Sequence, residues 1–191
     1  MSIVGESDPR VVEHLRRAAR WRLLAISFEC PRQGWQEQLD GLAAECGAGD
    51  LQELARRARE EATAELYHTT FGPGGPAAPR EVSYVGSILP GPLLADLQAF
   101  YDAFAYRPTI AEPPDHVAVE LGFLSYLHLK AAYAIARDDD EEAAVAVEAA
   151  KRFTETHLAN ILAPLARIVE ASGIGYLEAA AAALRQDLQS A

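Results

Sequence analysis

Glu112-Pro113-Pro114-Asp115-His116-Val117-Ala118-Val119-Glu120-Leu121-Gly122-Phe123-Leu124 is the stretch that decides how the chain folds. Each proline fixes φ and lacks an N–H, so the pair stops any preceding helix and enters as a stiff, extended connection. Asp115 follows where a helix cap belongs, able to accept a hydrogen bond from a free N–H of the first turn. The helix should run from Asp115 to about Arg137, apolar nearly all round, as befits the centre of a bundle. The positive end of its dipole favours an anionic Asp115, and Glu120 lies one turn beyond His116, within reach of a protonated imidazole. Two readings stand side by side. Either Asp115 is only a cap and His116 a half-exposed first-turn residue, or both belong to a binding site where a stiff loop becomes a buried helix.

Upstream of the prolines, a helix is expected through Leu93, Leu94, Leu97, Phe100, Tyr101 and Phe104, and the segment near 107–115 forms a hinge loop. Pro90-Gly91-Pro92 separates that helix from what precedes it. The run Gly72-Pro73-Gly74-Gly75-Pro76-Ala77-Ala78-Pro79 fits neither helix nor strand. It lacks the Gly-Lys-Ser/Thr ending of a phosphate-binding loop, so nucleotide binding finds no support there. Further back, Asp50 caps a helix from Leu51 to about Thr69, and another spans Trp35 to Cys46, closed by Gly47 and Gly49. From Pro9 to about Glu29, Val11, Val12, Leu15, Ala19, Leu23 and Ile26 keep helical spacing, with Asp8 as cap. Those residues are core, or face a groove that an apolar ligand shares. Downstream, Asp138-Asp139-Asp140-Glu141-Glu142 precedes a helix through Val145, Val147, Ala150, Phe153, His157 and Leu158. Acids at a helix start are favoured by its dipole. Pro164 kinks or restarts that helix, Gly173 and Gly175 break it, and a last helix runs from Tyr176 to about Leu188.

At 191 residues, with half of them hydrophobic and no long alternating run, the chain reads as an all-α, single-domain helical bundle over 1–191. A domain of this size buries about 70% of its unfolded surface, enough for a core without staples. The net charge of −11 excludes a nucleic-acid binder, which needs a basic surface, and suits a basic partner. Cys30 and Cys46 have no metal or disulfide spacing and read as small apolar residues of a reducing compartment. The first ten residues carry acids and no apolar core, so no signal peptide is expected, and no apolar run reaches the roughly 20 residues of a membrane span. Arg16-Arg17 reads as part of a charged helix face, because Arg20 and Arg22 interrupt the sequence that follows. The expected location is cytoplasmic, without membrane insertion.

The run from Glu112 through Asp115-His116 to Glu120-Leu121 and Phe123-Leu124 resembles the signature of the TorD/DmsD/NarJ family, cytoplasmic chaperones that assemble molybdenum enzymes. The resemblance extends from about Glu65 to Leu158. Tyr67 and Phe71 fit a Tyr-x-x-x-Phe pattern before a glycine-proline loop. Glu81 and Tyr84 fit Glu-Ser-Val-Tyr with Val82 and Ser83 exchanged. Phe100-Tyr101 fits an aromatic motif that usually continues to an aromatic and a glycine, but here Phe104 is followed by Ala105. His157-Leu158 fits a pair usually followed by tryptophan, where this chain has Ile161.

The resemblance implies a TorD-like bundle with no catalysis of its own. It implies a partner, the apo form of a molybdoenzyme catalytic subunit and its twin-arginine leader. No cofactor is bound permanently; association with molybdenum cofactor is transient, during client assembly. The chain would act as monomer or dimer. The candidate client-binding residues are Tyr67, Phe71, Glu81, Tyr84, Glu112, Pro113, Asp115, His116 and Glu120. Asp115, Glu120 and Glu81 would supply negative charge near a groove for an apolar segment, and His116 would tune binding between about pH 6 and 7. Two alternatives remain: a general helical adaptor, and a metal-binding helix-bundle enzyme. The second rests on Glu65-x-x-His68, which has the spacing of di-iron carboxylate bundles but no second copy in the chain.

Overall fold

The computed structural model describes residues 8–47, 49–86 and 89–190, so the expectation about a signal peptide rests partly on residues 1–7, outside the described residues. Helix α1, Pro9–Ser27, starts as the sequence predicts: Asp8 Oδ1 accepts the Arg10 N–H at 2.8 Å, and Pro9 needs no partner for an N–H it lacks. Helix α2, Trp35–Cys46, ends at Gly47, whose φ of 76° lies in the left-handed region that glycine enters freely. The single helix expected from Leu51 to Thr69 is two. Helix α3, Asp50–Glu61, stops at the extended Ala62, and α4, Ala64–Phe71, restarts with Thr63 as cap, its hydroxyl accepting the Leu66 N–H at 3.1 Å. Asp50 lies inside α3, and Gly49 takes the capping position.

Helix α5, Gly91–Ala103, is followed by Phe104 and by Ala105, which adopts φ 53°. A left-handed turn is therefore present where the resembling motif has glycine, carried here by alanine at a steric cost of roughly 1 kcal/mol. Helix α6 spans Val117–Ile135 and is buried around most of its circumference. Against it α1 lies antiparallel: Ser125 Oγ donates to the Ala18 carbonyl at 2.7 Å, while Val11 packs on Ile135 at the far end. Gly122 does not admit another helix backbone. A Cβ there would stand 2.7 Å from the Tyr106 hydroxyl oxygen, so the glycine makes room for that side chain.

Helix α7, Asp140–Phe153, is capped by Asp139, whose Oδ1 accepts the Glu142 N–H at 2.9 Å. It leads into a wide π turn, Thr154–Leu158, and then α8, Ala159–Glu170. Pro164 sits inside α8 without ending it; the irregularity lies about two to three turns earlier, in the π turn. Helix α9, Gly175–Ser190, closes on α3 and α8. The core gathers around Phe123 of α6, whose ring meets Phe153 at 4.8 Å and Tyr101 at 4.9 Å between centroids. The architecture is all-α. The described residues contain no strand, only one isolated antiparallel bridge between Arg80 and His116. No helix among them is long and apolar enough to cross a membrane.

Candidate functional site

That bridge straps two loops together at the N-terminus of α6. The Glu81 N–H donates to the Asp115 carbonyl and the Val117 N–H to the Pro79 carbonyl, both at 2.8 Å. The prolines hold their segment extended, and Tyr101 of α5 fixes it by donating its hydroxyl to the Pro114 carbonyl at 2.8 Å. A short helical turn, Glu81–Ser83, follows the strap.

Asp115 is fully buried and does not cap α6, contrary to the sequence reading. Its Oδ1 accepts Arg80 Nη2 at 2.7 Å and Nε at 2.9 Å, and its Oδ2 accepts the Val82 N–H at 3.3 Å. The cap is His116, which is buried rather than half-exposed. Its Nδ1 accepts the Ala118 N–H at 3.1 Å, which leaves the ring proton on Nε2, facing the Tyr67 hydroxyl at 3.3 Å. Burial pushes the His116 imidazole down to about 4; the Asp115 carboxylate opposes this and Arg80 adds to it. His116 is therefore neutral at pH 6 to 7, and the expected titration in that range does not occur.

Glu120 departs furthest from expectation. It is wholly buried, neither carboxyl oxygen has a hydrogen-bond partner, and both nitrogens of His116 are engaged elsewhere. Burial, reinforced by the charges of Glu81 and Asp115, raises its carboxyl well above the ordinary range and favours the neutral acid. It forms no ion pair with His116 and supplies no negative charge to a surface.

Glu81 is also fully buried but is satisfied. It accepts Asn160 Nδ2 at 2.7 Å and His157 Nδ1 at 3.0 Å, while His157 Nε2 faces Asp96 Oδ2 at 3.1 Å. Each ring nitrogen of His157 thus faces one carboxylate. Through His157 the strap is tied at once to the π turn and to α5, and π turns recur where a helix wall carries function. Arg80, Asp96, His157 and Asn160 complete the cluster. Sequence patterns give no sign of the Arg80–Asp115 pair, which spans 35 positions across two loops.

The remaining candidates stand around this knot. Tyr67 is buried, its phenol pushed up by burial and by nearby Glu112. Phe71 is buried against Tyr67 and Phe28, with centroids at 5.4 and 6.0 Å. Tyr84 is half-buried and closes its own loop, donating its hydroxyl to the Ala78 carbonyl at 2.7 Å. Glu112 and Pro113 are half-buried on the outer side. The structure thus brings Tyr67, Glu81, Glu112, Asp115, His116 and Glu120 together, most of them facing inward.

A second feature opens to solvent. A groove of about 750 Å³ runs over α1 between α2 and α6. Its floor carries Val12, Leu15, Ala19 and Arg22, its walls Leu42, Glu45, Gly122, Tyr126 and Leu129, and Tyr106 and Thr109 close one end. Leu15 and Leu129 are each 46% exposed, unusual for leucines on packed helices. The α1 stripe thus has its two roles divided: Leu23 and Ile26 are core, and Val12, Leu15 and Ala19 face the groove. Tyr106 begins the loop that ends at the Pro-Pro hinge, so knot and groove share one connecting segment.

Glu65 and His68 are exposed on α4, and among the described residues no group of three or more His, Cys, Asp or Glu side chains is placed to hold a metal ion. No curated protein matches the chain significantly in sequence. The family described as nitrate reductase delta subunit matches residues 29–167, which include the strap, the hinge, α6 and the π turn. With more than two thirds of its length matched, the chain belongs to the nitrate reductase delta subunit family, whose members are assembly chaperones for molybdoenzymes.

Proposed function

We propose that the chain binds the apo form of a molybdenum-cofactor oxidoreductase, by its twin-arginine leader, in the cytoplasm. In doing so it aids cofactor insertion and delays export. The observation that carries this reading is the open apolar groove over α1. From Val12 to Arg22 the groove is about 15 Å long, room for roughly ten residues of a helical segment. The net charge of −11 attracts a basic leader, and Glu45 stands exposed on the groove wall. Arg16 and Arg22 also line the groove, so the leader's arginines are expected at its margin and its apolar residues inside.

The hinge residues divide in this reading. Glu112, Pro113 and Tyr84 are accessible enough to touch the client. Tyr67, Phe71, Glu81, Asp115, His116 and Glu120 act from below, by fixing the two loops. The molybdenum cofactor belongs to the client's side of the reaction. The hinge offers the carboxylates Glu81, Glu112 and Asp115, and its cation Arg80 is already engaged by Asp115; that donor set does not suit an anionic cofactor.

The test is calorimetric titration with twin-arginine leader peptides, each with an arginine-to-alanine control. Leu15→Glu, on an exposed groove position, should weaken binding about tenfold or more without unfolding the protein. Equal affinity in Leu15→Glu would remove the groove from the site. Absence of binding to every leader would overturn leader recognition.

A further inference from the structure

Behind the end of the groove closed by Tyr106 lies a buried carboxylate that is only half satisfied. Glu29 follows the last turn of α1, one residue past Phe28, and is 4% exposed. Its Oε1 accepts Arg22 Nη1 at 2.5 Å. Its Oε2 has no hydrogen-bond partner among the described residues; Arg32 Nη2 stands 3.6 Å away, beyond hydrogen-bond reach. Arg22 itself lines the groove, with its side chain 24% exposed. Arg22 and Glu29 both act on the charge of the Tyr106 phenol, in opposite senses, so the carboxylate lies just behind that wall. We propose that Glu29 is the subsite for a client arginine, and that Arg22 is a built-in plug which the incoming guanidinium displaces. The proposal rests on the leader reading above and assigns a place to one of the leader's arginines.

The Arg80–Asp115 pair shows a completed site for comparison. Asp115 accepts two guanidinium nitrogens and a backbone N–H, which engages both of its oxygens. Glu29 accepts one nitrogen on one oxygen. Arg22 reaches it from seven positions back in the chain and meets it end-on, through Nη1. A buried carboxylate oxygen without a donor is costly, and a guanidinium arriving in the two-pronged geometry would satisfy both oxygens at once. Asp115 has no such vacancy to offer.

The helix end strengthens the preference. Glu29 stands at the negative end of the α1 dipole, and the last turn of α1 carries no basic residue. The site therefore favours a cation, and two coplanar carboxylate oxygens favour arginine over lysine. A displaced Arg22 is not stranded. Glu45 lines the same groove and is exposed, so the outgoing guanidinium keeps a carboxylate within that groove. The exchange replaces one ion pair by another and gains a partner for the vacant Oε2.

The test is calorimetric titration of a twin-arginine leader and its arginine-to-alanine control against the parent, Glu29→Gln and Arg22→Gln, each checked for folding by circular dichroism. The quantity to read is the ratio of the two peptides' affinities. Glu29→Gln keeps the shape of the side chain. It should lower the ratio about tenfold or more, weakening the leader and leaving the control unchanged. Arg22→Gln removes the plug and should raise the ratio about tenfold. If loss of Arg22 unfolds the protein, Glu29→Gln decides alone. A ratio unchanged in Glu29→Gln would overturn the proposal and leave Arg22–Glu29 as an internal ion pair, with the leader reading intact. No binding of any leader to the parent would overturn both.

Discussion

Replacing Glu120 by glutamine should make the protein's stability less dependent on pH, with a sign opposite to that usual for a carboxylate. In the folded chain Glu120 is wholly buried, without a hydrogen-bond partner, and faces the charges of Glu81 and Asp115, which raise its pKa well above the ordinary 4.5. In the unfolded chain it ionises normally. Between 4.5 and the raised value the folded state holds one proton more than the unfolded state, so stability falls as pH rises through that window and levels off above the folded pKa. One proton corresponds to about 1.4 kcal/mol per pH unit. The penalty grows at up to that rate with each pH unit above 4.5 until the folded pKa is passed. Glutamine keeps the shape and removes the titration. Its buried amide adds an offset of about 1–3 kcal/mol, but that offset does not vary with pH. The quantity to read is therefore the slope. Urea unfolding of both proteins from acid to mildly alkaline pH should show the Glu120→Gln variant gaining on the parent as pH rises. A difference constant across the range would mean that Glu120 ionises as freely in the folded protein as in the unfolded chain, and the reasoning from its burial would be refuted.

Removing Arg80 should cost more than an ordinary surface change, because it strands the buried Asp115. Arg80→Met is expected to lower the unfolding free energy by about 3 kcal/mol in urea titration, with much of the loss recovered when Asp115→Leu is added. Ala105→Gly should raise stability by about 0.5–1 kcal/mol, since glycine enters the φ of 53° without steric cost; an unchanged unfolding midpoint would count against strain there. On the acid side, His116 and His128 are both depressed to about 4, so the unfolded chain binds more protons below the ordinary 6.5. Stability contributed by their neutral forms is present above 6.5 and is lost as pH falls toward 4, on the order of 3 kcal/mol for each, readable by thermal unfolding across that window.

Much of the fold can be read from residues alone, because it rests on local signals. The apolar run after Val117, the Asp8-Pro9 start and the proline-glycine loop over 72–79 act within a few positions, and the structure follows all three. What escapes the sequence is decided at long range. Asp115 and His116 are neighbours, and either can cap a helix. The choice falls to His116 because Arg80, on another loop, claims the aspartate. Likewise α3 and α4 separate at Thr63 while the Glu61 carboxylate reaches across to the Tyr176 N–H at the start of α9, a contact that no periodicity announces. The neutral state of Glu120 is equally invisible, since charge patterning assumes solvent that the folded site excludes.

These long-range choices bear on how the Glu-Pro-Pro-Asp-His stretch works. A client arginine seeking Asp115 would have to displace Arg80 from two short contacts and enter a site with no exposed surface. The same arginine reaches Glu112, on the outer side of the loop, without displacing a cation. The stretch therefore acts mainly as a joint. It holds the 79–84 strap, the hinge and the first turn of α6 in one arrangement, and His157 extends that hold to α5 and the π turn. The groove is framed by α1 and α6 and by the loop beginning at Tyr106, so its shape depends on the joint although no buried hinge carboxylate lines it. Substitutions in the joint should appear first as lost stability, and in client binding only through the groove's shape. Substitutions on the exposed groove leucines should do the reverse.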